Sequence, residues 1–271
     1  MTGMNASAES NVRLELSVIV PCYNECGNVE PLFHALIKAL EGRRWEAIFV
    51  DDNSPDGTIQ RVWELAQQDS RIRGILRVGR RGLSSAVIEG VLASSAQCVA
   101  VIDGDMQHDE SCLPEMLDAV LKDHYDFAVG SRHVQGGDSV GLANRWRHVI
   151  SQSGIWLSQK FLPVKLNDPM SGFFLLRRAL FIELLPSLSG TGFKILLDLV
   201  MSCPKNIRLK EIPFRFRQRL SGESKLNFKV MWQFLLMMAE KLWLCFVPVR
   251  LLVTIIIFIL GVVGFKYIIK D

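Results

Sequence analysis

The sequence predicts an α/β protein built on a mostly parallel central sheet, and three observations predict it. Short β-branched apolar runs recur along the chain, helix-like periodicity follows each of them, and the residues just after the runs are rich in carboxylates, asparagine and glycine. Apolar runs alternating with helical stretches are the signature of parallel strands covered by helices. In such sheets ligands collect beyond the carboxyl ends of the strands, so the residues that follow each run carry the functional information.

The first run, Leu16 to Val20, predicts a buried strand that ends in Pro21-Cys22-Tyr23-Asn24-Glu25. The second, Ala47 to Val50, ends in Asp51-Asp52-Asn53-Ser54-Pro55-Asp56-Gly57-Thr58. The third, Cys98 to Ile102, ends in Asp103-Gly104-Asp105-Met106-Gln107-His108, and the fourth, Phe127 to Gly130, leads into Ser131-Arg132-His133 and a Gly136-Gly137 loop. Parallel strands bring the first three ends together in one cleft. The chain shows no internal repeat and no low-complexity segment.

With 271 residues the chain accommodates one large α/β domain and a short appendage. Hydrophobic residues make up 49% of it, and the excess lies at the C-terminus, where Leu251 to Phe265 contains no charge. Extended to Ile269 the stretch approaches the ~20 residues of a transmembrane helix. Lys241, Trp243 and Arg250 on one side and Lys266, Tyr267 and Lys270 on the other fit headgroup-level anchors. A buried C-terminal hairpin is the competing assignment. Phe228 to Leu244 reads as an amphipathic helix on the membrane surface, or else as a packing helix at the domain edge. The expected organisation is a catalytic domain over 1–226, a juxtamembrane helix over 227–248 and a transmembrane segment over 249–271.

Met1 to Asn11 is polar and has no apolar core, so no secretory signal is expected and the catalytic part should face the cytoplasm. The six cysteines, Cys22, Cys26, Cys98, Cys112, Cys203 and Cys245, lack zinc-site spacing and are read as structural reduced thiols. A net charge of +3 carries no nucleic-acid signature. Much of the basic surplus, Arg215, Arg217, Arg219, Lys225, Lys229, Lys241 and Arg250, lies near the apolar segment, where an anionic lipid surface is a fitting neighbour.

Asp103-Gly104-Asp105 places two carboxylates beside a residue that permits close backbone approach, which suits a hard divalent cation shared with phosphate oxygens, and Gln107 adds a neutral oxygen ligand. Carboxylates at strand ends also cap helices or sit in solvated loops. Asp51-Asp52 adds negative charge to the same cleft, which a cation or hydrogen bonding to a nucleoside would relieve. Asn53 to Thr58 also reads as a turn into a helix, with Asp56 as a cap. Arg132, Arg145, Arg147 and Ser151 surround a glycine loop and suit the capture of a phosphate, although solvated surface arginines are the plainer reading. Arg219 to Lys225 adds a second basic segment. The five histidines, His34, His108, His124, His133 and His148, have no zinc spacing and are read as structural. No Gly-x-x-x-x-Gly-Lys loop or Gly-x-Gly-x-x-Gly fingerprint follows the first strand, which argues against P-loop hydrolysis and dinucleotide binding.

Eight segments in order carry a resemblance: PCYNE at 21–25, VDDNSPDGT at 50–58, GLSSAVIEG at 82–90, DGDMQH at 103–108, GSRH at 130–133, DPMSGFF at 168–174, GFKILLDL at 192–199 and RLSGESK at 219–225. From about Leu16 to Lys241 the chain resembles the family 2 glycosyltransferases of the dolichol-phosphate, or polyprenol-phosphate, mannose synthase type. The resemblance implies a Rossmann-like GT-A fold and an inverting, metal-dependent transfer of mannose from GDP-mannose to a polyprenyl (dolichyl or undecaprenyl) phosphate. It implies that Pro21, Tyr23, Glu25 and Asp52 hold the nucleoside and that Asp103, Asp105 and Gln107 bind Mg²⁺ or Mn²⁺ with the donor diphosphate. Arg219 and Lys225 would close on the donor phosphates, and Arg132, Arg147 and Ser151 would take the acceptor phosphate, with Arg145 in a looser register. Two departures stand out: Asp109-Glu110 where prolines commonly follow Gln-His, and a single C-terminal span where many relatives have more.

An acceptor phosphate monoester with a second pKa near ~6 is already mostly dianionic at neutral pH, so the implied reaction needs no general base. The competing readings are a UDP-hexose or modified-pentose transferase acting on undecaprenyl phosphate, and a non-catalytic membrane module that binds nucleotide sugars.

Overall fold

A computed structural model of the chain describes residues 13–134, 162, 164–190, 192 and 194–217. The chain divides into two compact units, Met1–Lys225 and Leu226–Asp271, and all the described residues belong to the first. The expected juxtamembrane helix and transmembrane segment lie outside the described residues. Among the described residues, no helix is long and apolar enough to cross a membrane.

In chain order the elements are β1 (Leu16–Cys22), α1 (Cys26–Ala39), β2 (Trp45–Asp51), α2 (Thr58–Ala66), β3 (Ile72–Leu76), α3 (Leu83–Ala93) and β4 (Cys98–Val101). Then follow α4 (Leu113–Leu121), β5 (Phe127–Ser131), β6 (Phe174–Arg177), α5 (Arg178–Leu184), α6 (Ile195–Ser202) and β7 (Leu209–Pro213). The strands form one seven-stranded sheet in the order β3-β2-β1-β4-β6-β5-β7. β1 pairs in parallel with β2 and β4, β2 with β3, and β5 with β7. The exception to the expected parallel pattern is β6, which is antiparallel to both β4 and β5.

Side chains of a strand alternate between faces, and the core shows it. On β1, Leu16, Val18 and Val20 join residues of α1, α2 and α4 in one apolar cluster. Ile19, with Ile48 and Val50 of β2, joins α3, α5 and α6 in the other. Helices thus cover both faces, which explains why β1 and β2 read as predominantly apolar runs rather than alternating ones. The close approach of α3 depends on Gly90, where an added Cβ would lie 2.5 Å from Ile19 Cγ2.

The connection after β1 runs over one face through α1, while the connection into β4 runs over the other through α3. The crevice beyond the carboxyl ends of β1 and β4 is therefore the point where the winding direction reverses, the usual ligand position in an open α/β sheet.

Candidate active site

Three strand-end loops meet at this crevice, as parallel pairing predicts. Asp52 N–H donates to Cys22 O at 3.0 Å. Ser54 Oγ accepts from Asn24 N–H at 2.9 Å, Thr58 Oγ1 from Glu25 N–H at 3.0 Å, and Asp56 Oδ2 from Cys26 N–H at 3.0 Å. The turn between them needs left-handed backbone at Asn24, Asn53 and Gly57. Asp56 also accepts from Thr58 N–H at 3.0 Å, so it serves the start of α2 as the sequence predicts, although Gly57 occupies the cap position itself.

The two adjacent carboxylates have different roles. Asp51 is fully buried and turned into its own loop, accepting from Ser54 N–H at 2.9 Å and from the Ser54 hydroxyl. Asp52 faces a cationic partner that the sequence reading did not identify: Arg77, only 1% exposed, donates Nη1–H to Asp52 Oδ1 at 2.6 Å. The second Asp52 oxygen accepts from Gly82 N–H at 2.7 Å. Arg77 is itself held by Ser85 Oγ at 2.6 Å, Gly82 O at 3.1 Å and Glu89 at 3.1 Å. Burial raises the Asp52 pKa in spite of this pairing. The charge relief expected from a ligand is thus partly built in, by an arginine that follows β3.

Tyr23 lies beside the same loop, with the Arg81 guanidinium carbon 4.4 Å from its ring centroid, within cation–π range. Pro21 sits within β1 opposite Val50, and Glu25, 7% exposed, accepts from Asn28 Nδ2 at 2.7 Å. The structure therefore groups Pro21, Tyr23, Glu25 and Asp52 around the ends of β1 and β2.

Past β4 the chain makes a tight loop with left-handed backbone at Met106. The Gly104 Cα packs into the first loop, where a Cβ would lie 3.4 Å from Cys22 Sγ and 3.5 Å from Glu25 Cγ. Asp105 Oδ1 accepts from Gln107 N–H at 3.2 Å, and Gln107 Nε2 donates to Arg217 O at 3.1 Å. Asp103 is accommodated by Gly172, where a Cβ would stand 2.9 Å from Asp103 Oδ2. Asp103, Asp105 and Gln107 supply hard oxygen donors at one turn, and the missing Cβ at Gly172 leaves the Asp103 carboxylate its room. That donor set fits Mg²⁺ or Mn²⁺. Among the described residues there is no group of three or more His, Cys, Asp or Glu that could hold a metal ion. Two carboxylates and an amide instead match a cation that takes its remaining oxygens from water and a bound diphosphate.

His108 is structural, as the sequence reading has it. Its ring stacks on Phe173 at 5.4 Å between centroids and meets Phe214 and Phe216 edge-on at 5.5 and 5.8 Å. Its Nδ1 accepts from Asp103 N–H at 3.2 Å, which places the ring proton of the neutral form on Nε2. Burial pulls its pKa down to about 4.

Arg132, beyond β5, is in a different position from a solvated phosphate ligand. It donates Nε–H and Nη2–H to the two oxygens of Asp168 at 2.8 and 2.9 Å, with Asp168 fully buried. Its guanidinium also lies 5.2 Å from the Phe216 centroid. Lys194, just before α6, donates to Met170 O at 3.2 Å, and burial with the nearby Arg132 charge lowers its pKa to about 8. The sequence reading assigned no role to Lys194, although it lies within a quoted motif. Arg145, Arg147, Ser151, Arg219 and Lys225 lie outside the described residues.

Comparison with known proteins places the chain among relatives of sequence and of fold. A family model for glycosyl transferase family 2 matches residues 17–185. The chain is 39% identical to a dolichol-phosphate mannosyltransferase of Pyrococcus furiosus, over 82% of this chain and 62% of that protein, so it spans less than two thirds of that relative. It is 37% identical to a dolichol-phosphate mannosyltransferase of Saccharomyces cerevisiae, over 84% of this chain and 86% of that one. Among solved structures, Mycobacterium tuberculosis glucosyl-3-phosphoglycerate synthase superposes with a TM-score of 0.61 at 18% identity, covering 87% of this chain and 82% of the other. A mannosyltransferase of Pyrobaculum calidifontis in complex with GDP-Man and Mn²⁺ gives a TM-score of 0.51 at 17% identity, over 74% of this chain and 55% of the other. At such identities the two structures establish a shared GT-A-like fold.

Proposed function

The chain belongs to glycosyl transferase family 2, and from that premise we propose that it transfers mannose from GDP-mannose to the phosphate of a polyprenyl lipid, with inversion at the anomeric carbon. The observation that carries this reading is the 37–39% identity to two dolichol-phosphate mannosyltransferases over more than four fifths of the chain. The geometry supports the chemistry: the turn that carries Asp103, Asp105 and Gln107 packs against the loop after β1 through Gly104, where a Cβ would lie 3.4 Å from Cys22 Sγ and 3.5 Å from Glu25 Cγ.

In this reading Tyr23 and Asp52 orient the nucleoside, and Asp103, Asp105 and Gln107 hold Mg²⁺ or Mn²⁺. When bound, the cation supplies positive charge that stabilises the departing diphosphate. Arg219 and Lys225 bind the same phosphates from the segment beyond β7. Arg132, Arg147 and Ser151 hold the acceptor phosphate behind the anomeric carbon, and alignment rather than base catalysis lowers the barrier. The Asp168 ion pair fixes the Arg132 fork, so what Arg132 offers the acceptor is one fixed guanidinium edge. The apolar segment from Leu251 anchors the catalytic domain at the cytoplasmic face of the membrane, where the lipid phosphate lies at headgroup depth.

The test is transfer by the purified, detergent-solubilised protein with Mn²⁺ and polyprenyl phosphate, supplied separately with radiolabelled GDP-mannose and UDP-glucose. Label extracted into organic solvent from GDP-mannose alone is the expected result. Label from UDP-glucose alone would reassign the donor, and label from neither would remove the transferase reading for these substrates.

A further inference from the structure

Arg217 sits just before the segment that carries Arg219 and Lys225, and it is bound to the candidate metal turn at four points. Its backbone N–H donates to Gln107 O at 2.9 Å, and its carbonyl accepts from Gln107 Nε2 at 3.1 Å. Its guanidinium spans two carboxylates, with Nη2 on Asp109 Oδ1 and Nη1 on Glu110 Oε2, each at 2.7 Å. Asp109 Oδ1 also accepts from Ser111 Oγ at 2.6 Å, which ties the pair to the turn leading into α4.

The two backbone contacts bear directly on Gln107. With Nε2 committed to Arg217 O, the amide is fixed in one of its two orientations, and Oε1 lies across the Cγ–Cδ bond from Nε2, in the same plane. Gln107 N–H in turn donates to Asp105. A continuous chain of hydrogen bonds therefore runs from Arg217 through Gln107 to Asp105. The Arg217 side chain, 40% exposed, pairs with Asp109 and Glu110 and through them clamps its own backbone against the turn.

We propose that Arg217 is a positioning residue for the metal turn, its paired carboxylates Asp109 and Glu110 holding the strand-exit segment so that Gln107 and Asp105 are preset for a divalent cation. The proposal rests on reading Asp103, Asp105 and Gln107 as the metal ligands. Exposed ion pairs are individually weak, so the clamp is worth a modest factor in affinity rather than an all-or-none effect.

Coulomb's law makes the test sharp. Removing a positive charge near a cation site tightens metal binding by electrostatics alone, whereas loss of the clamp loosens it. Mn²⁺ binding to the full-length protein, without nucleotide sugar, is read by electron paramagnetic resonance of free Mn²⁺ for wild type, Arg217→Ala, Arg217→Lys and Asp105→Ala. Thermal unfolding of each variant verifies folding. Arg217→Ala is expected to raise the Mn²⁺ Kd about fivefold, with partial recovery in Arg217→Lys, and to add little when Asp109→Asn and Glu110→Gln are already present. Unchanged or tighter binding by Arg217→Ala, with binding lost in Asp105→Ala, overturns the positioning role and leaves the metal site intact. Wild-type binding by Asp105→Ala removes the metal reading and this proposal with it.

Discussion

Arg77 and Asp52 form a buried ion pair at 2.6 Å, and the arginine, 1% exposed, reaches the site from the loop that follows β3. An exposed arginine could be lost at small cost, but this one offsets a carboxylate withdrawn from water. Arg77→Met is expected to destabilise the fold by about 3–5 kcal/mol, because it leaves Asp52 buried without its charge partner. Urea unfolding measures it. In whatever fraction folds, the KM for nucleotide sugar should rise more than kcat falls, since Asp52 is assigned to nucleoside binding rather than to the reacting atoms.

Asp105→Ala is expected to lower Mn²⁺-dependent transfer by on the order of a hundredfold or more, at or beyond the upper end of what loss of an outer-shell partner costs. Initial rates across a Mn²⁺ titration test it. Unaltered metal-dependent turnover would remove Asp105 from the ligand set.

Gly172→Ala probes the same turn from behind. Its new Cβ would stand 2.9 Å from Asp103 Oδ2, and this carboxylate is an end group that can swing aside. The expected result is weaker Mn²⁺ binding with little change in unfolding midpoint. Gly130→Ala places its Cβ 2.5 Å from Phe173 Cδ1 inside the aromatic packing and should cost about 1–3 kcal/mol of stability. Measured side by side, the two variants separate a displaced ligand from an overpacked core.

The Arg132–Asp168 pair sets a pH dependence. Burial pushes the Asp168 pKa up, but hydrogen bonds and charge from Arg132 outweigh it, so the folded value lies below the ordinary 3.8. In acid the unfolded chain takes up this proton first, and the stability present above pH 3.8 is lost as pH falls through the folded value. Arg132→Met removes the side-chain hydrogen bonds and the charge and leaves burial, the largest cause, opposed by the backbone N–H of residue 132 and by His133. The Asp168 pKa is then expected to rise, and acidification from neutral pH should recover stability in the variant relative to wild type. Urea unfolding midpoints measured between neutral pH and about pH 4 decide it.

Much of the scaffold was legible because β1, β2, β4 and β5 are buried on both faces and read as predominantly apolar runs. β3 and β7 were missed because edge strands mix polar with apolar residues, as Ile72-Arg73-Gly74-Ile75-Leu76 and Leu209-Lys210-Glu211-Ile212-Pro213 do. β6 is four residues long, and nothing in so short a run tells an antiparallel strand from the first turn of a helix. At the site, local spacing revealed the acidic turns but not what surrounds them. Arg77 belongs to no sequence motif and gains its role only when the fold encloses it, and Asp51 reads as a cleft carboxylate until the Ser54 turn takes it. The Asp109-Glu110 departure acquires a physical role through Arg217, more than a hundred residues further along.

The antiparallel β6 also bears on how a ribosome delivers this sheet. β1 to β4 emerge in order and can zip into a parallel half-sheet that already carries Asp52, Arg77 and Asp103. β5 has no seat beside β4 until Phe174–Arg177 has been translated, because β6 lies between them. A nascent chain that has emerged from the ribosome as far as Ser131, with Phe174–Arg177 still to come, therefore holds Pro21, Tyr23, Glu25 and Asp52 already grouped beside a raw sheet edge, one that a chaperone or the rest of the chain must cover.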